Sequence, residues 1–241
     1  MLICELLIIS GNTVCFKVRC LLKKGKFVNM EFNNNFEAII FDLDGTLWSA
    51  IDTCLKSIEY MKNKYSDITK DITKEDVMGA MGKSFEEIAN LYYGYLPKEK
   101  AISYTRERIN KNIELLSKNG GTLYDNTKDT IIELSKNYKL YIVSNCLEGY
   151  IEAFFNTSGL SEYFLDYENN GRTGLSKGEN IKLVIERNNI KNAIYVGDTI
   201  SDKKAALFAG IPFVYAEYGF GSVDEYDYII KDISELKELV R

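Results

Sequence analysis

Four short, almost unbroken apolar runs constrain this chain more than any other feature: "EAIIFDLD" (37–44), "KLYIVSN" (139–145), "NAIYVGDT" (192–199) and "PFVYAEYG" (212–219). A strand with one wet face alternates apolar and polar residues. Runs that do not alternate are buried on both faces, as strands of a parallel sheet covered by helices on each side. The segments between them have helical periods. "NTKDTIIELSKN" precedes the second run, and "SKGENIKLVIERNN" precedes the third with Ile181, Val184 and Ile185 on one face. "SDKKAALFAG" precedes the fourth and closes on Gly210, a helix-stop glycine. This alternation predicts an α/β fold with a Rossmann-like, doubly wound parallel sheet.

Residues 50–120 break the rhythm and show no convincing strand. Ile51, Leu55, Ile58, Met61 and Tyr65 keep helical spacing, as do Ile102, Ile109, Ile113 and Leu116. Pro97 can open the second of these helices and Gly120-Gly121 can end it, while Ser84 with Glu87 forms a capping box for another. The expected division is a core of 36–49 and 121–241 with a helical insert of 50–120. Residues 1–30 read as a separate extension. Two strand-like runs there flank Ser10-Gly11-Asn12, a hairpin signal, and Met30 precedes a natural domain start. A dispensable leader and a genuine edge hairpin are both compatible with that pattern.

Composition removes several classes of function. The 241 residues carry 30 basic and 35 acidic side chains, a formal net charge of −5, with no dense Lys/Arg stripe; no nucleic-acid partner is expected. No apolar stretch is long enough to span a bilayer, so no membrane partner is expected. "MLICELLIIS" is interrupted by Glu5 and lacks a basic leader and a cleavage site, which argues against a signal peptide. Five cysteines with no CxxC fit a reduced, cytoplasmic chain. The chain has 0 histidines. Ser/His/Asp and Cys/His triads are thereby excluded, and any metal site must be oxygen-rich, which favours magnesium over zinc.

In an open α/β sheet, ligands bind at the carboxyl ends of the strands. The first run delivers Asp42 and Asp44 there, the second Ser144 and Asn145, and the third Asp198 followed by Asp202. Lys177 follows Ser176, which with Glu179 makes a capping box, so the lysine stands at a helix start where anions are favoured. Paired carboxylates that close together resist burial unless a cation lies between them. A divalent cation, Lys177 and Ser144 would together cradle a phosphate dianion.

"DLDGT", "IVSN", the lysine of "LSKGEN" and "VGDTISD", in that order over residues 36 to 220, resemble the four motifs of the haloacid dehalogenase-like (HAD) hydrolase superfamily. "VGDTISDKKAALFAGIP" is most similar to the phosphoglycolate phosphatase and β-phosphoglucomutase branch, and the insert after the first strand resembles its helical C1 cap. The resemblance implies that Asp42 is a nucleophile forming an aspartyl-phosphate and that Asp44 is the general acid and base, oriented by Thr46. It implies Mg²⁺ on Asp42, the backbone carbonyl of Asp44 and Asp198, with Asp202 in direct or water-mediated support. It also implies phosphoryl contacts from Ser144, the N–H of Asn145 and Lys177. "MGKSFEEIANLYYGYLP" lies where this branch presents its specificity loop, so Lys83 is expected to meet a second anionic group of the substrate. The acid at position 44 separates the chain from the dehalogenases, whose halide needs no proton. Two features depart from the pattern: Ser49 stands where an acid is usual, and the Pro-Gly before the second motif is absent. Ser49 with Asp52 could still cap the following helix. The expected function is a Mg²⁺-dependent phosphatase acting on a small phosphorylated metabolite. A sugar-phosphate mutase and a catalytically silent phosphate-binding module are the alternatives.

Overall fold

The structure, a computed structural model, describes residues 35–241 together with the strand segments 6–7, 17–21 and 27–31. These segments are β1 (Leu6–Leu7), β2 (Lys17–Leu21) and β3 (Phe27–Glu31), a small antiparallel sheet in the order β1-β2-β3. The expected turn at Ser10-Gly11-Asn12 lies outside the described residues.

The chain then enters β4 (Ala38–Phe41), a two-residue strand β5 (Trp48–Ser49), and four helices: α1 (Ile51–Lys64), α2 (Lys74–Ala80), α3 (Phe85–Tyr93) and α4 (Lys98–Asn119). Strand β6 (Thr122–Leu123) returns antiparallel to β5, closing the base of this helical insert. The remainder is α5 (Thr127–Leu134), β7 (Lys139–Ser144), α6 (Tyr150–Ser158), β8 (Phe164–Asn169), the single turn α7 (Asn170–Thr173), α8 (Lys177–Arg187), β9 (Ala193–Gly197), α9 (Ile200–Ala209), β10 (Phe213–Ala216), β11 (Tyr228–Ile230) and α10 (Leu236–Leu239). Six strands form one parallel sheet in the order β11-β10-β9-β4-β7-β8. This is the α/β, Rossmann-like architecture expected.

The apolar runs behave as their lack of alternation requires. Ile39 and Phe41 pack on one face of the sheet with Ile142, Val196, Tyr150 and Phe154. Ala38 and Ile40 face the other side, with Tyr141, Tyr195, Ile181 and Val184. Fully burying one such Ile or Phe side chain contributes roughly 1.5–3 kcal/mol. Strand β4 sits at the centre, in register with β9 on one side (Phe41 opposite Val196) and β7 on the other (Phe41 opposite Ile142). That register aligns the carboxyl ends of three strands from distant parts of the chain.

The insert has a core of its own, in which Ile58, Met61, Val77, Tyr92, Tyr93 and Tyr104 are buried together. Pro97 and Gly120 flank α4, and the Ser84–Glu87 capping box opens α3, as the spacing predicts. The Ser49 cap is not made. Ser49 is committed to pairing with Thr122, so α1 starts one residue later on Ala50 with no side-chain cap. Strands β8 and β11 carry no apolar run of the kind seen in the other four. They are the edge strands, each with one neighbour, and β8 interleaves polar residues whose side chains meet α8.

Candidate active site

Asp42 leaves β4, Asp198 leaves β9, and Asp202 lies in the first turn of α9; all three are buried. One carboxylate oxygen from each lies within 4.8 Å of the others. Two chain features make this possible. The first is the β4–β9 register. The second is Gly45, whose φ of +87° turns the chain back so that its N–H donates to the carbonyl of Trp48 at 2.9 Å. A Cβ on Gly45 would stand 2.2 Å from Asp198 Oδ2, so no side chain fits between the β4 loop and that acid.

Lys177 enters the cluster from the start of α8, where Ser176 and Glu179 form the expected capping box. Its ammonium donates to Asp42 Oδ1 at 2.8 Å and to Asp202 Oδ1 at 2.5 Å. Burial alone would lower the Lys177 pKa, but the charges of Asp202 and Asp42 outweigh it and hold the group above its ordinary value. Asp202 is fully engaged. Its Oδ2 accepts from the Thr199 N–H at 2.9 Å and the Thr199 hydroxyl at 2.5 Å, closing the α9 capping box. Asp198 is not: Oδ2 accepts from the Phe220 N–H at 2.7 Å, whereas the buried Oδ1 has no hydrogen-bond partner.

The electrostatics show a deficit of positive charge. Asp42, Asp44, Asp198 and Asp202 gather around a single ammonium. Burial, opposed by Lys177 and reinforced by Asp202, pushes Asp42 up to about 6. Burial, then Asp202 and Asp42, push Asp198 well above the carboxylate range. A hard divalent cation suits such an oxygen-only donor set, and the orphaned Asp198 Oδ1 marks where a ligand atom is available. The residues therefore fit a Mg²⁺ ion on Asp42 and Asp198. Asp202 offers a third carboxylate oxygen within reach of the same ion, while both its oxygens also accept hydrogen bonds from Lys177 and Thr199.

Asp44 Oδ1 accepts a hydrogen bond from the Tyr150 hydroxyl at 2.9 Å. Burial and then the Asp42 charge raise its pKa to about 7 despite that bond. Thr46 does not hold Asp44 as expected: its hydroxyl is buried without a hydrogen-bond partner, and Tyr150, which no motif singles out, takes that place. The tyrosine comes from the first turn of α6, so only the packing of that helix against the site reveals it.

A cavity of about 110 Å³ opens onto these acids. Ser144, Asn145, Lys177, Asp42 and Asp44 all line it, which brings the second-motif residues to the same cavity as the acid pair. From the insert, Met81, Gly82 and Lys83 line it, and the Asn145 side-chain amide donates to the Gly82 carbonyl at 3.2 Å. Lys83 is exposed. The insert also contributes Arg108 and Asn112 of α4, which the helical spacing of that segment leaves unmarked.

The family model described as haloacid dehalogenase-like hydrolase matches residues 39–216. No curated protein matches the chain. Among solved structures, a haloacid dehalogenase-like family hydrolase from Streptococcus pneumoniae aligns with a TM-score of 0.75 at 20% identity, covering 86% of this chain and 99% of that one. A protein described as a predicted phosphoglycolate phosphatase from Haemophilus somnus aligns at 0.76 and 21% identity, covering 86% and 99%. One described as a predicted phosphatase from Clostridium acetobutylicum aligns at 0.70 and 24%, covering 84% and 97%. These structural likenesses carry the fold.

Proposed function

The chain belongs to the haloacid dehalogenase-like hydrolase family and is a phosphoric monoester hydrolase, and from that premise we propose that it is a Mg²⁺-dependent phosphatase working through a phosphorylated Asp42. The observation that carries the reading is the cluster itself: three buried acids from separate strands and helices, one lysine bridging two of them, and one buried carboxylate oxygen left unpaired. In this reading 50–120 is a cap over a catalytic core of 36–49 and 121–241. The substrate is a small phosphorylated metabolite enclosed between them.

Asp42 attacks the phosphorus, and the bond to the leaving alcohol oxygen breaks. Lys177 fixes the attacking side chain through Oδ1. Asp44 supplies a proton to the departing oxygen. Its carboxylate then takes a proton from the water that attacks the phosphoryl group, and the bond to Asp42 breaks. A group titrating near 7 can serve in both directions at neutral pH. Tyr150 fixes the orientation of Asp44. Ser144 and the backbone N–H of Asn145, with Lys177, face the phosphoryl oxygens. Asp42, the Asp44 carbonyl and Asp198, with Asp202 in support, would hold Mg²⁺, which would supply charge stabilisation for the phosphoryl oxygens. Acid–base catalysis alone contributes only about 10²–10⁴-fold, so charge stabilisation and positioning must supply the larger share.

The test is phosphate release from p-nitrophenyl phosphate. Turnover with Mg²⁺ that disappears with EDTA and returns on adding excess Mg²⁺ is the expected result. Absence of turnover with the metal present would overturn the reading, and so would turnover indifferent to EDTA. Mg²⁺ should also raise the melting temperature, because an ion that binds only the folded acids stabilises the fold by mass action. Lys83→Ala is expected to raise KM for anionic esters by roughly 2–5-fold, since an exposed charge contributes about 0.2–1 kcal/mol. An unchanged KM for every ester would remove Lys83 from the substrate contacts.

A further inference from the structure

One apolar side chain crosses from the core into the insert. Among the described residues of the insert's apolar cluster, every other member lies within 50–120, but Phe220 packs against it from the loop after β10. Phe220 lines a crevice there with Met78, Gly79 and Met81, at the end of α2. The backbone of the same residue meets the acid cluster. Its N–H donates to Asp198 Oδ2 at 2.7 Å, while Asp198 Oδ1 has no hydrogen-bond partner. The loop is pressed against that acid on both sides of Phe220. A Cβ on Gly219 would stand 2.3 Å from Asp198 Cβ, and one on Gly221 would stand 2.3 Å from the Asp198 carbonyl oxygen. Two glycines thus let the chain run along Asp198, and the residue between them places its ring in the insert. The insert also approaches the next residue of the core: a Cβ on Gly82 would stand 3.2 Å from Thr199 Oγ1.

We propose that Phe220 is a positioning residue that couples the packing of the insert to the orientation of Asp198, so that Mg²⁺ binds more tightly when the insert is seated. The inference rests on the reading above that Asp42 and Asp198 hold the ion, and it adds the residue that fixes one of those ligands in place. Rotation of a carboxylate about its last torsion is broad. The bond from the Phe220 N–H to Oδ2 restricts it and so sets where the unpartnered Oδ1 stands. Groups that orient a metal ligand by hydrogen bonding contribute about 10–100-fold to metal affinity. Removing the ring leaves the N–H in the chain but takes away its anchor in the insert. The Tyr215 hydroxyl still holds the Gly221 carbonyl, at 2.9 Å, so the loop should keep its course and lose only that anchor. The coupling is reciprocal: if a seated insert tightens the hold on the ion, the ion must tighten the seating of the insert by the same factor.

The test titrates the metal-free protein with Mg²⁺ alone and follows the melting temperature, which an ion bound only to the folded acids raises by mass action. Phe220→Ala should weaken the apparent Mg²⁺ affinity by about 10-fold, at the lower end of the range for such groups. Phe220→Leu keeps an apolar anchor and should restore most of it. A purely structural ring would lower the melting temperature of the metal-free protein and leave its Mg²⁺ dependence unmoved, and that result would overturn the inference. A second measurement needs no variant. In the wild type, Mg²⁺ should slow amide hydrogen exchange at 78–83 of the insert more than in α5 of the core, because only the former is coupled to the ion through Phe220. Equal slowing in the two segments, or none at 78–83, would overturn the inference too, and this readout decides alone if Phe220→Ala fails to fold. A wild type whose melting ignores Mg²⁺ would sink the metal reading and this one with it. A wild-type response that Phe220→Ala shares in full would sink this one alone.

Discussion

Asp42→Asn is expected to lower turnover of p-nitrophenyl phosphate by about 10⁴-fold or more, since removing a nucleophile from a coupled site removes nearly all of its advantage. The fold should survive. Asn keeps the shape of the side chain at the end of β4, and Lys177 keeps its bond to Asp202. The substitution also removes one of four acids crowded around a single ammonium, so the melting temperature of the metal-free protein should move little. The second acid separates the two roles. Asp44→Asn should lower turnover by about 10²–10⁴-fold, the usual scale of general acid–base catalysis. A nitrophenolate leaves without a donated proton, so the first step should persist and the second stall. Intact-protein mass spectrometry of Asp44→Asn should then find one added phosphoryl group on Asp42, and Asp42→Asn should show none. Undiminished turnover by Asp42→Asn would remove that residue as nucleophile. A phosphoryl group on another side chain would reassign it.

Gly45→Ala should destabilise the protein by about 2–5 kcal/mol, combining the strain of a positive φ with overpacking of a filled site. The new methyl would meet Asp198 Oδ2 at 2.2 Å, with φ at +87°. For a chain of this size each kcal/mol shifts the melting temperature by about 2–4 °C, so the loss is easily measured. Activity should fall further than stability explains, because Asp198 is the acid displaced. Gly159→Ala is the matched control. It has φ +69° at the end of α6 but nothing within 4 Å of its added Cβ. It should lose only about 1–2 kcal/mol of backbone strain and keep its metal response. Equal losses at the two positions would show that the close approach to Asp198 is not what makes Gly45 necessary.

How much of this was readable in one dimension depends on how local each signal is. Burial on both faces writes itself into a strand as unbroken apolar character, so β4, β7, β9 and β10 were found. Edge strands β8 and β11 have one neighbour each and need no such run; in β8, Asp166 and Glu168 answer Arg187 on α8 rather than the sheet. Capping boxes span three residues, and those at Ser84 and Ser176 were legible for that reason. The Ser49 cap failed because a partner some seventy positions away, Thr122, holds its backbone in a strand.

The site divides along the same line. Asp42, Asp44, Ser144, Asp198 and the Ser176-Lys177 helix start can be named from residue order, because parallel strands place their carboxyl ends on one edge whatever else the chain does. Local pattern says nothing about which oxygen of Asp198 is left without a partner, that Thr199 and Lys177 occupy Asp202, or that Tyr150 rather than Thr46 holds Asp44. Nor does it mark Phe220, since an apolar loop residue reads alike wherever its ring packs. Those facts depend on distances between elements far apart along the chain, and hydrogen bonding and charge compensation are satisfied at those distances or not at all.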